Sequence, residues 1–212
     1  SQNKNLKACQ ISFPKETVIL STKKIQPLLD SFLHLTNLQI LKLSLIISNH
    51  QPSILPHQPF KLLSLQKIFF KIEYIQPTLK NLQNHLQALS EIDKIYSLEL
   101  DFSKSNLLND ETLQEIAKTV VDKLTNLRKL SLKFQECKRV TENGIVSLLK
   151  TSSSRLTKLS LDFTDCCSVQ PISPHDQFHQ NSDDENIVSN LEKLSLSFAN
   201  CQKITRVTFS LV

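Results

Sequence analysis

Apolar residues recur along the chain as one short phrase, apolar-x-x-apolar-x-apolar-x-apolar, seven times over. The clearest copies are Leu127-Leu130-Leu132-Phe134, Leu156-Leu159-Leu161-Phe163 and Leu191-Leu194-Leu196-Phe198. Each runs on at three-residue steps, into Cys137 and Val140, Cys166 and Val169, or Cys201 and Ile204. Weaker copies are Leu6-Cys9-Ile11-Phe13, Leu38-Leu41-Leu43-Leu45, Leu65-Ile68-Phe70-Ile72 and Ile95-Leu98-Leu100-Phe102, with Ser48 and Ser105 at the place the cysteines hold later. The starts, at 6, 38, 65, 95, 127, 156 and 191, lie 32, 27, 30, 32, 29 and 35 residues apart. Alternation over four to eight positions marks a half-buried strand. It predicts strands near 8–13, 40–45, 67–72, 97–102, 129–134, 158–163 and 193–198. The connections are too long for hairpins, so these strands are expected to be parallel and joined by crossovers.

Most connections carry a helical period. From Asp110 as N-cap, residues Leu113, Ile116, Ala117, Val120, Val121 and Leu124 recur at three- and four-residue steps. Thr141 stands as the cap for Ile145, Leu148 and Leu149, and Thr78 for Leu82, Leu86 and Leu89. Ile25, Leu28, Leu29, Phe32 and Leu33 form another stripe, with Pro27 acceptable in a first turn. Two links differ. Pro52, Pro56 and Pro59 make residues 50–60 extended. Residues 170–186 are polar, with an acidic run at Asp183, Asp184 and Glu185, and read as a protruding loop insertion.

These copies resemble leucine-rich repeats of the long class, similar to the ribonuclease-inhibitor-like and cysteine-containing subtypes. The best match is Leu130-x-Leu132-x-Phe134-x-x-Cys137-x-x-Val140-Thr141-x-x-Gly144-Ile145-x-x-Leu148. The chain departs from the family pattern in a strand two residues longer than usual and in spacings above the family's typical ~20–29 residues. The resemblance implies an α/β solenoid spanning residues 1–212 as a single array. It also implies a curved parallel sheet on the concave side, with helices and extended links on the convex side. It further implies recognition of a protein, or in some members a nucleic acid, by the concave face, and no common catalytic chemistry. Such units bury their apolar faces only against neighbours, so the array expects caps, further chain or a partner at its ends.

Composition narrows the chemistry. With 40% hydrophobic and 21% charged residues the chain is ordinary for a packed domain. No apolar run reaches the ~20 residues of a membrane span, and the polar start SQNKNLKACQ is no signal peptide. A start at Ser1 and the absence of methionine suggest a piece of a longer chain. Five cysteines, an odd number, and no Asn-x-Ser/Thr acceptor point to an intracellular setting, cytoplasmic or nuclear. A single glycine, Gly144, excludes a glycine-rich phosphate cradle. The net charge of +5 permits an acidic partner without demanding one.

The outward strand positions are the candidate binding surface. The third position of each copy gives Ala8, Ile40, Lys67, Ser97, Lys129, Lys158 and Lys193. The fifth gives Gln10, Lys42, Phe69, Glu99, Ser131, Ser160 and Ser195, and the seventh Ser12, Ser44, Lys71, Asp101, Lys133, Asp162 and Ser197. A lysine column beside a serine column reads either as a basic groove for acidic protein or phosphate, or as surface lysine copied with its repeat. Arg128 is the arginine of this region, and Tyr96 and Phe69 are the aromatics of the face. The repeated Cys137, Cys166 and Cys201 read as small buried turn residues. Cys166, Cys167, His175 and His179 suggest zinc only poorly, because adjacent cysteines chelate one ion badly. No serine stands in a nucleophile elbow, and no histidine is placed by sequence beside a nucleophile.

The reading is a non-enzymatic protein-binding scaffold in a larger assembly, without cofactor, metal or small-molecule substrate. Its partner sites are Lys67, Lys71, Tyr96, Arg128, Lys129, Ser131, Lys133, Lys158, Ser160, Lys193 and Ser195. The alternatives are a nucleic-acid-associated subunit using the lysine column, a substrate receptor of the ubiquitin system, and an enzyme whose catalytic domain lies elsewhere. For the receptor, no helical F-box-like segment precedes residue 6.

Overall fold

Alternating apolar residues become alternating faces of one sheet. The computed structural model describes residues 6–12, 37–48, 65–75, 79–152, 155–166 and 190–201. The strands are β1 (Ala8–Ser12), β2 (Ile40–Ser48), β3 (Lys67–Ile75), β4 (Ile95–Asp101), β5 (Lys129–Lys133), β6 (Lys158–Asp162) and β7 (Lys193–Ser197). They form a single seven-stranded sheet in chain order, and every neighbouring pair is parallel. The fold is therefore α/β with a parallel sheet. Helix α1 (Leu79–Ser90) joins β3 to β4, α2 (Asp110–Ala117) joins β4 to β5, and α3 (Glu142–Ser152) stands between β5 and β6. The expected helical stripe from Ile25, the proline-rich link, the polar 170–186 loop and the Thr78 cap lie outside the described residues.

One face of the sheet is core. Leu98, Leu100, Leu130, Leu132, Leu159 and Leu161 are buried in one cluster with Leu82 and Leu86 of α1, Leu113 and Ile116 of α2, and Ile145 and Leu148 of α3. The helices thus cover the inward side, and the residues alternating with these leucines stand on the opposite face.

A four-residue turn leaves the sheet at the same place in successive repeats. Residues Lys104, Glu136, Asp165 and Asn200 have φ of 65°, 60°, 60° and 58°. Each is followed by a residue whose N–H donates to a phenylalanine carbonyl three positions back: Ser105 to Phe102, Cys137 to Phe134, Cys166 to Phe163 and Cys201 to Phe198, all at 3.1 Å. The thiols of Cys137, Cys166 and Cys201 reach one repeat back, to the carbonyls of Phe102, Phe134 and Phe163, at 3.4, 2.9 and 3.0 Å. A thiol here is a small apolar group with one donor to spend on a neighbouring repeat. Beneath the turns, Tyr74, Phe102, Phe134, Phe163 and Phe198 stack as a ladder, with successive ring centroids 4.8, 5.9, 5.1 and 5.6 Å apart.

That ladder corrects the expected alignment of the third and fourth copies. Tyr74, not Ile72, is the counterpart of Phe102, and Phe70 rather than Ile68 pairs with Leu98. A bulge at Ile68/Phe69 leaves Tyr96 as the extra residue of β4. Both β2 and β3 extend to nine residues, so Ser48 lies within β2 opposite Ile75 and not in a turn.

The helix starts also differ from expectation. Asn109 caps α2: its side-chain oxygen accepts from the Thr112 N–H at 3.0 Å and from the Thr112 hydroxyl at 2.7 Å. Asp110 instead accepts from the Thr141 N–H at 2.8 Å and from the Thr141 hydroxyl, tying the start of α2 to the start of α3. Thr141 stands at the head of α3 as the sequence suggests, accepting from the Asn143 N–H at 3.3 Å. Beyond Ala117 the helix widens into a π-helical turn, Lys118–Asp122.

Candidate functional site

With the register known, the outward residues fall into rows running across the strands. One row is Gln10, Lys42, Phe69, Ser97, Lys129, Lys158 and Lys193. The next is Ser12, Ser44, Lys71, Glu99, Ser131, Ser160 and Ser195. A third is Glu73, Asp101, Lys133, Asp162 and Ser197. From β4 to β7 these are the expected columns. Across β3 they are not: Lys67 leaves the lysine row, and Lys42 and Phe69 enter it. The physical reason is that Tyr74, not Ile72, stacks on Phe102, which sets β3 two residues along β4 from the expected alignment so that Lys71 faces Glu99.

The rows differ in how their charge is balanced. Glu99 sits between two ammonium groups, 2.9 Å from Lys71 and 3.0 Å from Lys133. Burial pushes its carboxyl up, but hydrogen bonds from Lys71 and Lys133 outweigh this and hold it below its usual range. The same bond to Glu99 raises Lys133. Asp162 is lowered in like manner: burial is outweighed by donors from Thr164 and from Gln135, the latter at 2.7 Å. Lys71 and Lys133 therefore share one carboxylate, and Asp101 and Asp162 add their attraction to Lys133. Lys158 and Lys193 are exposed, and neither has an ion-pair partner among the described residues. Lys129, Lys158 and Lys193, with Ser131, Ser160 and Ser195, line a shallow depression together with Ser97 and Glu99.

The aromatic end of the face gathers where the two expected aromatics meet. Phe69 and Tyr96 are half-buried neighbours, with ring centroids 5.7 Å apart and planes tilted by 57°. Lys67 lies 4.5 Å and Lys129 5.6 Å from the Tyr96 ring, and Lys42 lies 5.5 Å from Phe69. Arg128 does not join this surface. Its guanidinium donates to the carbonyls of Thr125 and Leu127, at 3.1 and 2.9 Å, bracing the approach to β5.

Three participants were absent from the sequence-derived set: Lys42, Phe69 and Glu99. The signal for them was present in Tyr74, since aligning its ring with Phe102 puts Lys42 and Phe69 in the lysine row and Lys71 opposite Glu99. Of the cysteine–histidine set, Cys166 is buried in its turn, and Cys167, His175 and His179 lie outside the described residues. Among the described residues no helix is long and apolar enough to cross a membrane. No family model matches this chain, and neither a curated protein nor a solved structure matches it.

Proposed function

We propose that the chain is a leucine-rich-repeat array, a curved solenoid with its sheet on the concave side. It works by binding a protein partner inside an intracellular assembly, not by catalysis. The observation that carries this reading is the lysine row of β5–β7, which has no ion-pair partner among the described residues and runs across strands in register on the face opposite the helices. A repeated, charged surface with an aromatic pair beside the lysine row has the makeup of a recognition face: a few large anchors and a polar surround.

The test is affinity purification from the native source at low and high salt, with mass spectrometry of the recovered proteins. It compares the native chain with one carrying Lys129→Glu, Lys158→Glu and Lys193→Glu together, and with a helix-side control, Lys118→Glu. The expected result is a salt-stable set of proteins that the triple variant loses and the control keeps. An identical set from all three would overturn the assignment of this face. A second reading, a nucleic-acid-associated subunit, draws on the Phe69–Tyr96 pair among lysines, the makeup of a stacking platform. It predicts RNA or DNA that washes off as salt rises.

A further inference from the structure

The rows of the outward face carry information about the shape of the partner as well as its charge. We propose that the face takes an acidic amphipathic helix of a partner protein, laid across the strands. Its carboxylates lie over Lys129, Lys158 and Lys193, and an apolar side chain rests on Phe69 and Tyr96. The proposal rests on the protein-binding reading above and deepens it.

Charge sets the position. Glu99 already pairs with Lys71 and Lys133, so incoming carboxylates gain most over the row that has no acids of its own. Glu73, Asp101 and Asp162, two rows away, repel them and stop the partner from sliding towards the far ends of the strands.

Spacing sets the conformation. Neighbouring strands are about 4.8 Å apart, so three lysines in one row span roughly 10 Å. Positions i, i+3 or i+4, and i+7 of an α-helix rise through about 10.5 Å and share one face. Same-face positions i, i+2 and i+4 of an extended chain cover about 13 Å and fall out of step. Phe69 precedes Lys193 by four strands in the row, roughly 19 Å, which a helix crosses in about 13 residues. The occupant therefore carries an aliphatic residue at i and acids near i+7, i+10 or i+11, and i+14.

A single-stranded nucleic acid fits less well. The Phe69 and Tyr96 rings are half-buried and tilted by 57° to each other, so they offer no run of parallel faces for successive bases to stack on. Arg128, the side chain suited to bidentate phosphate contacts, donates instead to backbone carbonyls.

Three labelled probes test this by fluorescence anisotropy with the full chain at low salt. One is an alanine-based helical peptide with Leu at i and Glu at i+7, i+11 and i+14. The second has the same composition, with glutamates alternating and prolines to keep it extended. The third is oligouridine. The helical peptide is expected to bind at least ten-fold more tightly than either other probe. It should weaken at least ten-fold on the Lys158→Glu/Lys193→Glu variant but not on Lys118→Glu, and recover on the variant when its glutamates become lysines. Circular dichroism confirms that each variant is folded. Tighter binding of the extended peptide or of oligouridine, no binding at all, or no recovery by charge exchange overturns the proposal. If the helix fails while the triple variant still loses its native partners, the occupant is wrong and the scaffold reading stands. If the native partners are also kept, both fall.

Discussion

Tyr74 brings a hydroxyl into a ladder whose other rungs are all phenylalanine. It is buried beside His85, ring centroids 5.8 Å apart, and among the described residues neither its oxygen nor either imidazole nitrogen has a hydrogen-bond partner. A buried orphan polar group costs about 1–3 kcal/mol, so Tyr74→Phe is expected to raise the unfolding free energy by about 1 kcal/mol in urea titration. Burial lowers the His85 pKa from 6.5 to about 4. The ring is neutral in the fold and gains a proton more readily once unfolded. Its contribution is therefore complete above pH 6.5 and is lost as pH falls towards 4, on the order of 3 kcal/mol in all. Denaturant midpoints followed from pH 7 to 4 should show this loss, and a His85→Leu chain should lack that part of it. The lone glycine is explained by contact: a Cβ on Gly144 would collide with the Asp110 carboxylate and sit 2.9 Å from the Leu113 methyl. Gly144→Ala is expected to cost about 1–3 kcal/mol despite alanine's better helix propensity, because the Asp110–Thr141 link must yield.

At the scale of elements, the turn after each strand explains what could and could not be read in advance. From β4 onward a phenylalanine and a Ser or Cys three residues later bracket every repeat, and the rows follow directly from the sequence. The third copy has no such bracket. Lys67 occupies the leading apolar place, and Ile68 and Ile72 imitate the pattern two residues early, so the true register emerges only when Tyr74 is seen stacked on Phe102. The cap of α2 was ambiguous for another reason: Asn109 and Asp110 are both good caps, and only the tertiary demand of Thr141 on Asp110 separates them. Balanced charge was hidden too, since Glu99 faces Lys71 only in the register that stacks Tyr74 on Phe102. The left-handed third residue of each turn makes its own prediction. Glutamate at φ 60° stores backbone strain that glycine lacks. Glu136→Gly should raise stability by about 0.5–1 kcal/mol in thermal melts, whereas Ser131→Gly, within β5, should lower it.

Across the whole molecule, the sheet and the aromatic ladder run the same way, so each repeat leans on the one before and the one after. Phe134 touches rings on both sides, and Phe134→Ala is expected to cost about 3–5 kcal/mol. Hydrogen exchange should show β4, β5 and β6 losing protection together. The strand order has a kinetic consequence as well. Every strand pairs only with its neighbours in sequence, so each pairing closes a loop of similar length, and closure entropy grows only slowly with that length. No pairing waits for the two ends of the chain to find each other. The absolute separation of contacting residues is thus fixed by one repeat, whatever the number of repeats. Duplicating the unit from 129 to 157 should therefore deepen the stability of the fold while leaving its refolding rate nearly unchanged.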